Sequence, residues 1–131
     1  MNTTSGVFGC GSCWPASAEV AWEGIRRLRT DIELVDESHF MIKIRSCMKC
    51  AQSFVSVFTE TIDWEDGDDP QYWTVMPLTP PEAKQLAAAG DAVEAALAEL
   101  PVDRRSLQRD APKGADPSSY WRHGLSVGSH D

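Results

Sequence analysis

Four cysteines in two matched pairs, Cys10-Gly-Ser-Cys13 and Cys47-Met-Lys-Cys50, are the residues of this chain best suited to chemistry. A Cys-x2-Cys turn brings two thiolates onto one ion, and a second such turn completes a tetrahedral shell. Zinc is the default cation, because four thiolates at about 2.3 Å satisfy its tetrahedral preference and leave no position open to a substrate. Cys10, Cys13, Cys47 and Cys50 are therefore the expected metal ligands, in a structural rather than a catalytic site. The bland alternative is a chance grouping of inert buried cysteines, and the shared two-residue gap argues against it. The first residues lack the basic and apolar regions of an export signal, so the expected setting is a reducing cytoplasm, where structural disulfides rarely persist and grouped thiols more often hold metal or do redox work.

Other catalytic signals are thin. His39, His123 and His130 are scattered, and there is no nucleophile motif, no Gly-rich phosphate loop and no His-Glu metal motif. The pattern points away from an enzyme. An acidic run (Glu60, Asp63, Glu65, Asp66, Asp68 and Asp69) surrounds Gly67 and Pro70. It is not a calcium loop, which needs glycine at its sixth position; counted from Asp63, Gly67 is the fifth. It reads either as a solvated hairpin connector or as an acidic docking surface. Trp64, set among Glu65, Asp66, Asp68 and Asp69, keeps docking in play, since an aromatic amid charge is a common interface anchor. Trp121 is a further candidate contact residue, and five tryptophans in 131 residues are more than a small core needs.

The elements that must position these residues follow from periodicity and capping. Ser17 can cap a helix over about 17–30, with Ala18, Ala21, Trp22, Ile25 and Leu28 on one face. This helix fills much of the 33-residue gap between the cysteine pairs. From His39 the period becomes two, with Phe40, Ile42 and Ile44 on one face of a strand. Residues 53–62 are apolar on both faces, as in a central strand, and 72–78 supply a third extended run, with Pro77 favouring an edge or a strand's end. Thr79-Pro-Pro-Glu82 is a capping box with proline at N1, starting a helical segment that Gly90 breaks and Pro101 ends. Beyond Pro101 the chain is polar and interrupted by Pro112, Gly114 and Pro117, with a helical turn expected around 103–109. The expected organisation is a single zinc-binding domain over 1–100 and a polar C-terminal tail over 101–131. Within that tail Tyr120, Trp121, Leu125 and Val127 either fold back or serve as a recognition segment.

Composition is that of one ordinary globular domain: 42% hydrophobic, 24% charged, with a formal charge of -8. Residues 1–50 are balanced, so the acidity is a C-terminal property, and it disfavours a general nucleic-acid binder. No apolar run approaches the roughly 18 residues of a membrane span.

A cysteine turn joining two antiparallel strands, paired with a second knuckle, resembles the zinc ribbon and treble-clef class over about residues 7–78. The expected fold class is α+β: a small three-stranded antiparallel sheet with a four-cysteine zinc-knuckle site, an N-terminal helix between the pairs and a C-terminal helical segment. The resemblance implies the same four cysteine ligands and a scaffold for contacts with proteins or nucleic acids. Many such knuckles carry glycine after the second cysteine; this chain has Trp14 and Ala51. The leading expectation is an acidic zinc-binding accessory or adaptor protein that contacts another protein, as a subunit of a larger complex, with no membrane role. One alternative is redox or electron transfer, by a four-cysteine iron site resembling rubredoxin or by Cys-x2-Cys dithiols. Another is a nucleic-acid-binding ribbon using Arg26, Arg27, Arg29, Lys43, Arg45 and Lys49.

Overall fold

A computed structural model describes residues 8–128, so His130 lies outside the described residues. Helix α1 (Ala18–Ile25) is followed by strands β1 (Arg29–Glu37), β2 (Phe40–Ser46), β3 (Ser53–Glu60) and β4 (Gln71–Leu78). Helices α2 (Pro80–Ala88) and α3 (Val93–Ala98) come next, then strands β5 (Arg105–Ala111) and β6 (Ser118–His123). The strands form one antiparallel sheet in chain order, β1 through β6. This corrects the expected three-stranded sheet: the three anticipated strands are its centre, and three more extend it. Among the described residues no helix is long and apolar enough to cross a membrane.

Each added strand is hidden from periodicity for a physical reason. β1 is an edge strand, mostly exposed on both sides, and its register shifts twice, between Thr30 and Ile32 and between Glu33 and Val35. Such bulges destroy period two. The helix expected to run to residue 30 gives way at Ile25, and Arg29 already pairs with Ser46. β5 replaces the expected helical turn. It reads as polar because two of its three buried positions, on either side of Leu107, are polar: Gln108 accepts a 2.7 Å hydrogen bond from Thr74 Oγ1, and Ser106 Oγ donates to the Gly124 carbonyl at 2.7 Å. β6 is the opposite edge strand, largely exposed or half-buried.

Both faces of the sheet carry helices. Phe40, Ile42 and Ile44, with Val55, Val57, Met76 and Leu78, pack under Leu86, Val93 and Leu97 of α2 and α3. On the other face Phe54, Val75 and Leu107 pack with Ala21 and Ile25 of α1, in one cluster with Cys13 and Cys47. The cysteines thus belong to a core. Pro77 stands in an internal strand but near its end, beyond the last β4–β5 pair at Val75, where β5 asks no N–H of it.

The capping box forms as expected. Thr79 Oγ1 accepts the Glu82 N–H, and Glu82 Oε1 accepts the Thr79 N–H at 2.8 Å. The same carboxylate takes Arg104, just before β5, in a fork, at 2.6 and 3.2 Å, with both side chains mostly buried. Burial pushes the Glu82 carboxyl up, but donation from Arg104 and the Thr79 N–H outweighs it and holds the group below the ordinary carboxylate range. Its stabilisation is therefore present above the unfolded-state value and lost as pH falls through the depressed folded one. Glu82→Gln is expected to cost about 2 kcal/mol at neutral pH, with the deficit shrinking in acid. Denaturant midpoints of both proteins at pH 7 and pH 3 check this.

Candidate metal centre

The second cysteine pair sits at the turn of the β2–β3 hairpin. The Cys47 N–H donates to the Gln52 carbonyl at 3.0 Å and the Ala51 N–H to the Cys47 carbonyl at 2.9 Å, closing a turn beyond the Ser46–Ser53 pair. Ala51 takes φ +67°, the left-handed conformation for which knuckles commonly use glycine, and it is the only non-glycine among the described residues to do so. Alanine there costs roughly 1–2 kcal/mol, partly offset by the extra chain entropy that glycine would lose on folding. Ala51→Gly is expected to stabilise the fold by about 0.5–1 kcal/mol, read as a raised denaturant midpoint at constant slope. The first pair needs no such residue at its second flank. Its turn closes by the Trp14 N–H donating to the Cys10 carbonyl at 2.8 Å, and the left-handed residue precedes it, at Gly9. A Cβ on Gly9 would also press within 2.9 Å of Cys13 Sγ.

The sheet and α1 bring the two turns together. Cys10 Sγ lies 3.8 Å from Cys13 Sγ and 3.9 Å from Cys47 Sγ, and Cys13 Sγ lies 3.7 Å from Cys50 Sγ. All four sulfurs fall within 4.8 Å of one another. The edge of a tetrahedron with sulfur about 2.3 Å from its centre is about 3.8 Å, so the cluster has the dimensions of a four-thiolate metal shell. Cys13 and Cys47 are buried, Cys10 is half-buried and Cys50 lies at the surface. None of the four is in a disulfide.

Backbone N–H groups are aimed at the sulfurs: Cys10 N–H donates to Cys13 Sγ at 3.3 Å and Lys49 N–H to Cys47 Sγ at 3.4 Å. The N–H groups of Cys13 and Ser12 lower the Cys10 thiol to about 7, whereas burial pushes Cys13 and Cys50 up. A protein alone does not readily ionise four adjacent thiols. A bound divalent cation does, because a coordinating thiol is deprotonated outright. The donor set therefore fits a metal ion, and it lacks the open position that substrate chemistry needs.

Several residues that hold the centre carry little signal in the sequence. Gln52 staples the two halves: its Oε1 accepts the Gly9 N–H at 3.0 Å, while its Nε2 donates to the carbonyls of Leu78 and Ser53 at 2.7 and 2.9 Å. Trp14 packs on Phe54 and, edge-on, on Trp121, with ring centroids 5.4 and 4.9 Å apart. Arg105 lies 3.8 Å above the Trp121 ring. Gly24, in α1, passes so close to the first turn that a Cβ would overlap the Ser12 carbonyl oxygen. A glycine inside a helix is disfavoured by about 1 kcal/mol, so its position was a readable signal of close approach.

The remaining candidate residues are dispersed. Trp121 packs against the apolar cluster that contains Cys13 and Cys47 and donates its indole N–H to the Ala16 carbonyl at 2.8 Å. Trp64, at the connector, is 85% exposed. Asp66 pairs with Lys113 at 2.8 Å, Asp68 accepts the Gly114 N–H and Asp69 the Asp63 N–H, while Glu65 has an exposed side chain and uses only its N–H, toward Asp63. Among the basic residues, Arg26 pairs with Glu23, Arg29 with Asp31 and Lys43 loosely with Glu33. His39 meets Glu60 at 2.8 Å on the far end of the β2–β3 hairpin from the cysteines, and His123 is exposed. Compared with protein-family models, curated proteins and solved structures, the chain matches none, so its functional reading rests on the geometry of the four sulfurs.

Proposed function

We propose that this chain is a zinc-scaffolded accessory or adaptor protein that acts by contact with another protein, as a subunit of a larger assembly in the cytoplasm. Cys10, Cys13, Cys47 and Cys50 hold one Zn2+, which joins the N-terminal turn and α1 to the β2–β3 hairpin. The observation that carries this reading is the sulfur cluster, with three edges of 3.7 to 3.9 Å and all four sulfurs within 4.8 Å of one another, a closed four-thiolate set that leaves no open position for a substrate. Zinc is favoured over iron by the default preference of a closed, redox-inert thiolate shell. A contact role is supported by the apolar residues left exposed at two turns, Met48 at 78% on the cysteine hairpin and Trp64 at 85% on the acidic connector.

Elemental analysis and an absorption spectrum of protein purified without added metal separate zinc, which is colourless, from an iron centre, which is coloured. Affinity capture from the native host then tests the role. A protein that co-purifies through nuclease treatment and moderate salt supports the reading, whereas salt-sensitive nucleic acid in the eluate contradicts it.

A further inference from the structure

α1 covers only part of its face of the sheet. Beside it a groove of about 250 Å³ runs over β2, β3 and β4, with Trp22, Phe58 and Trp73 as its aromatic floor and Lys43 and Arg45 along one side. The rings form a continuous series: Trp22 and Phe58 flank Trp73, at centroid distances of 5.2 and 5.1 Å. Arg45 is the unusual member. One terminal nitrogen donates to the Leu28 carbonyl at 3.0 Å, its Nε is buried with no acceptor, and no carboxylate pairs with it among the described residues. Burial alone pulls its guanidinium below its ordinary value. Lys43 has only a 3.9 Å contact with the half-exposed Glu33. The groove thus offers aromatic surface beside one cation without a carboxylate partner, Arg45, and one that is only weakly paired, Lys43.

The acidic connector presents the complementary chemistry. All four of its aspartates, Asp63, Asp66, Asp68 and Asp69, are engaged within the loop or with residues 113 and 114, which leaves the side chains of Trp64 and the adjacent Glu65 as its free elements. We infer that the groove receives the Trp64-Glu65 corner of a second copy of this chain, the indole against Trp73 and Phe58 and the carboxylate toward Arg45 and Lys43. Connector and groove adjoin at the same end of the β3–β4 hairpin, where Glu60 pairs with Gln71 and Phe58 with Trp73. Two copies related by a two-fold axis can therefore exchange corners reciprocally, giving an isologous contact that closes at the dimer. An indole in an aromatic pocket with a neighbouring charge pair is the usual composition of an interface hot spot.

Sedimentation equilibrium of the metal-loaded chain over a wide concentration range tests this, with variants that spare the cysteines. A concentration-dependent dimer is expected. Trp64→Ala and Lys43→Glu should each weaken it by about tenfold or more. Arg45→Glu should do the same, and combining it with Glu65→Lys should recover part of the loss. Trp64 is so exposed that its truncation does not threaten folding, which keeps the result readable if Arg45→Glu misfolds. A monomer at every concentration, or a dimer indifferent to both Trp64→Ala and Lys43→Glu, overturns the inference. So does a monomer whose groove takes an acidic peptide of another protein instead. None of these outcomes bears on whether the four cysteines bind metal.

Discussion

Cys47→Ser is expected to lower the unfolding midpoint further than any other single substitution named for this chain. Cys47 is buried at the junction of the β2–β3 hairpin and the N-terminal turn, its sulfur 3.9 Å from Cys10 Sγ. The turns are linked otherwise by little more than Gln52 and the apolar cluster that contains Cys13. Structural zinc contributes on the order of 10 kcal/mol to the folding of small modules. Here a 131-residue chain with a two-faced core supplies much of its own stability. The expectation is therefore a loss of several kcal/mol rather than complete unfolding, on the scale of the largest single-residue effects. A strong chelator added to the wild type should reproduce the shift, and the variant should show no further shift with chelator. Equal midpoints for variant and wild type would mean that no ion contributes to stability.

The second large effect is expected at a residue without a side chain. Gly24→Ala places a methyl group on the Ser12 carbonyl oxygen and within 3.3 Å of Cys13 Cα. The obstacle is backbone, so neither neighbour can rotate out of the way. Alanine is the better helix former by about 1 kcal/mol, and on propensity alone the substitution should stabilise α1. Overpacking at this contact should outweigh that gain, at roughly 3 kcal/mol or more. The sign distinguishes the two effects. Because α1 must move away from the turn that carries Cys10 and Cys13, metal affinity should fall along with the denaturant midpoint. A stabilised Gly24→Ala protein with unchanged metal content would show that α1 and the cysteine turn are not in contact.

The central hairpin and the clustering of the four cysteines were legible in the sequence, while the edges of the sheet were not. Alternation in Phe40, Ile42 and Ile44 reports a strand with one buried face, and that face is the one covered by α2 and α3. The capping box at Thr79 and the break at Gly90 report local chemistry that the tertiary structure leaves intact. The matched cysteine gaps report the cluster because ligand spacing follows from turn geometry, whatever the surrounding fold. Periodicity fails where strands are not half-buried in the usual sense. β1 is mostly exposed on both sides, with only Leu34 and Val35 half-buried, and it is bulged. β5 buries Ser106 and Gln108, whose hydrogen bonds are satisfied by the Gly124 carbonyl and by Thr74 and Asp110, so hydrophobicity marks neither. Gln52 had no signal at all, since its role depends on bringing together Gly9 and Leu78, distant in the chain.

Those long-range contacts also account for the tryptophans. Four of the five, Trp14, Trp22, Trp73 and Trp121, pack against other aromatic rings on the α1 face. A small core with helices on both faces uses more aromatic bulk than a bare three-stranded sheet would. Only Trp64 stands mostly in solvent, which concentrates the expectation of contact on one residue.

X-ray absorption at the metal edge, on protein purified without added metal, addresses the sulfur cluster most directly. One zinc per chain surrounded by four sulfur scatterers at about 2.3 Å is the predicted result. A metal-free monomer with four titratable thiols, or an ion bound mainly through nitrogen or oxygen, would contradict it.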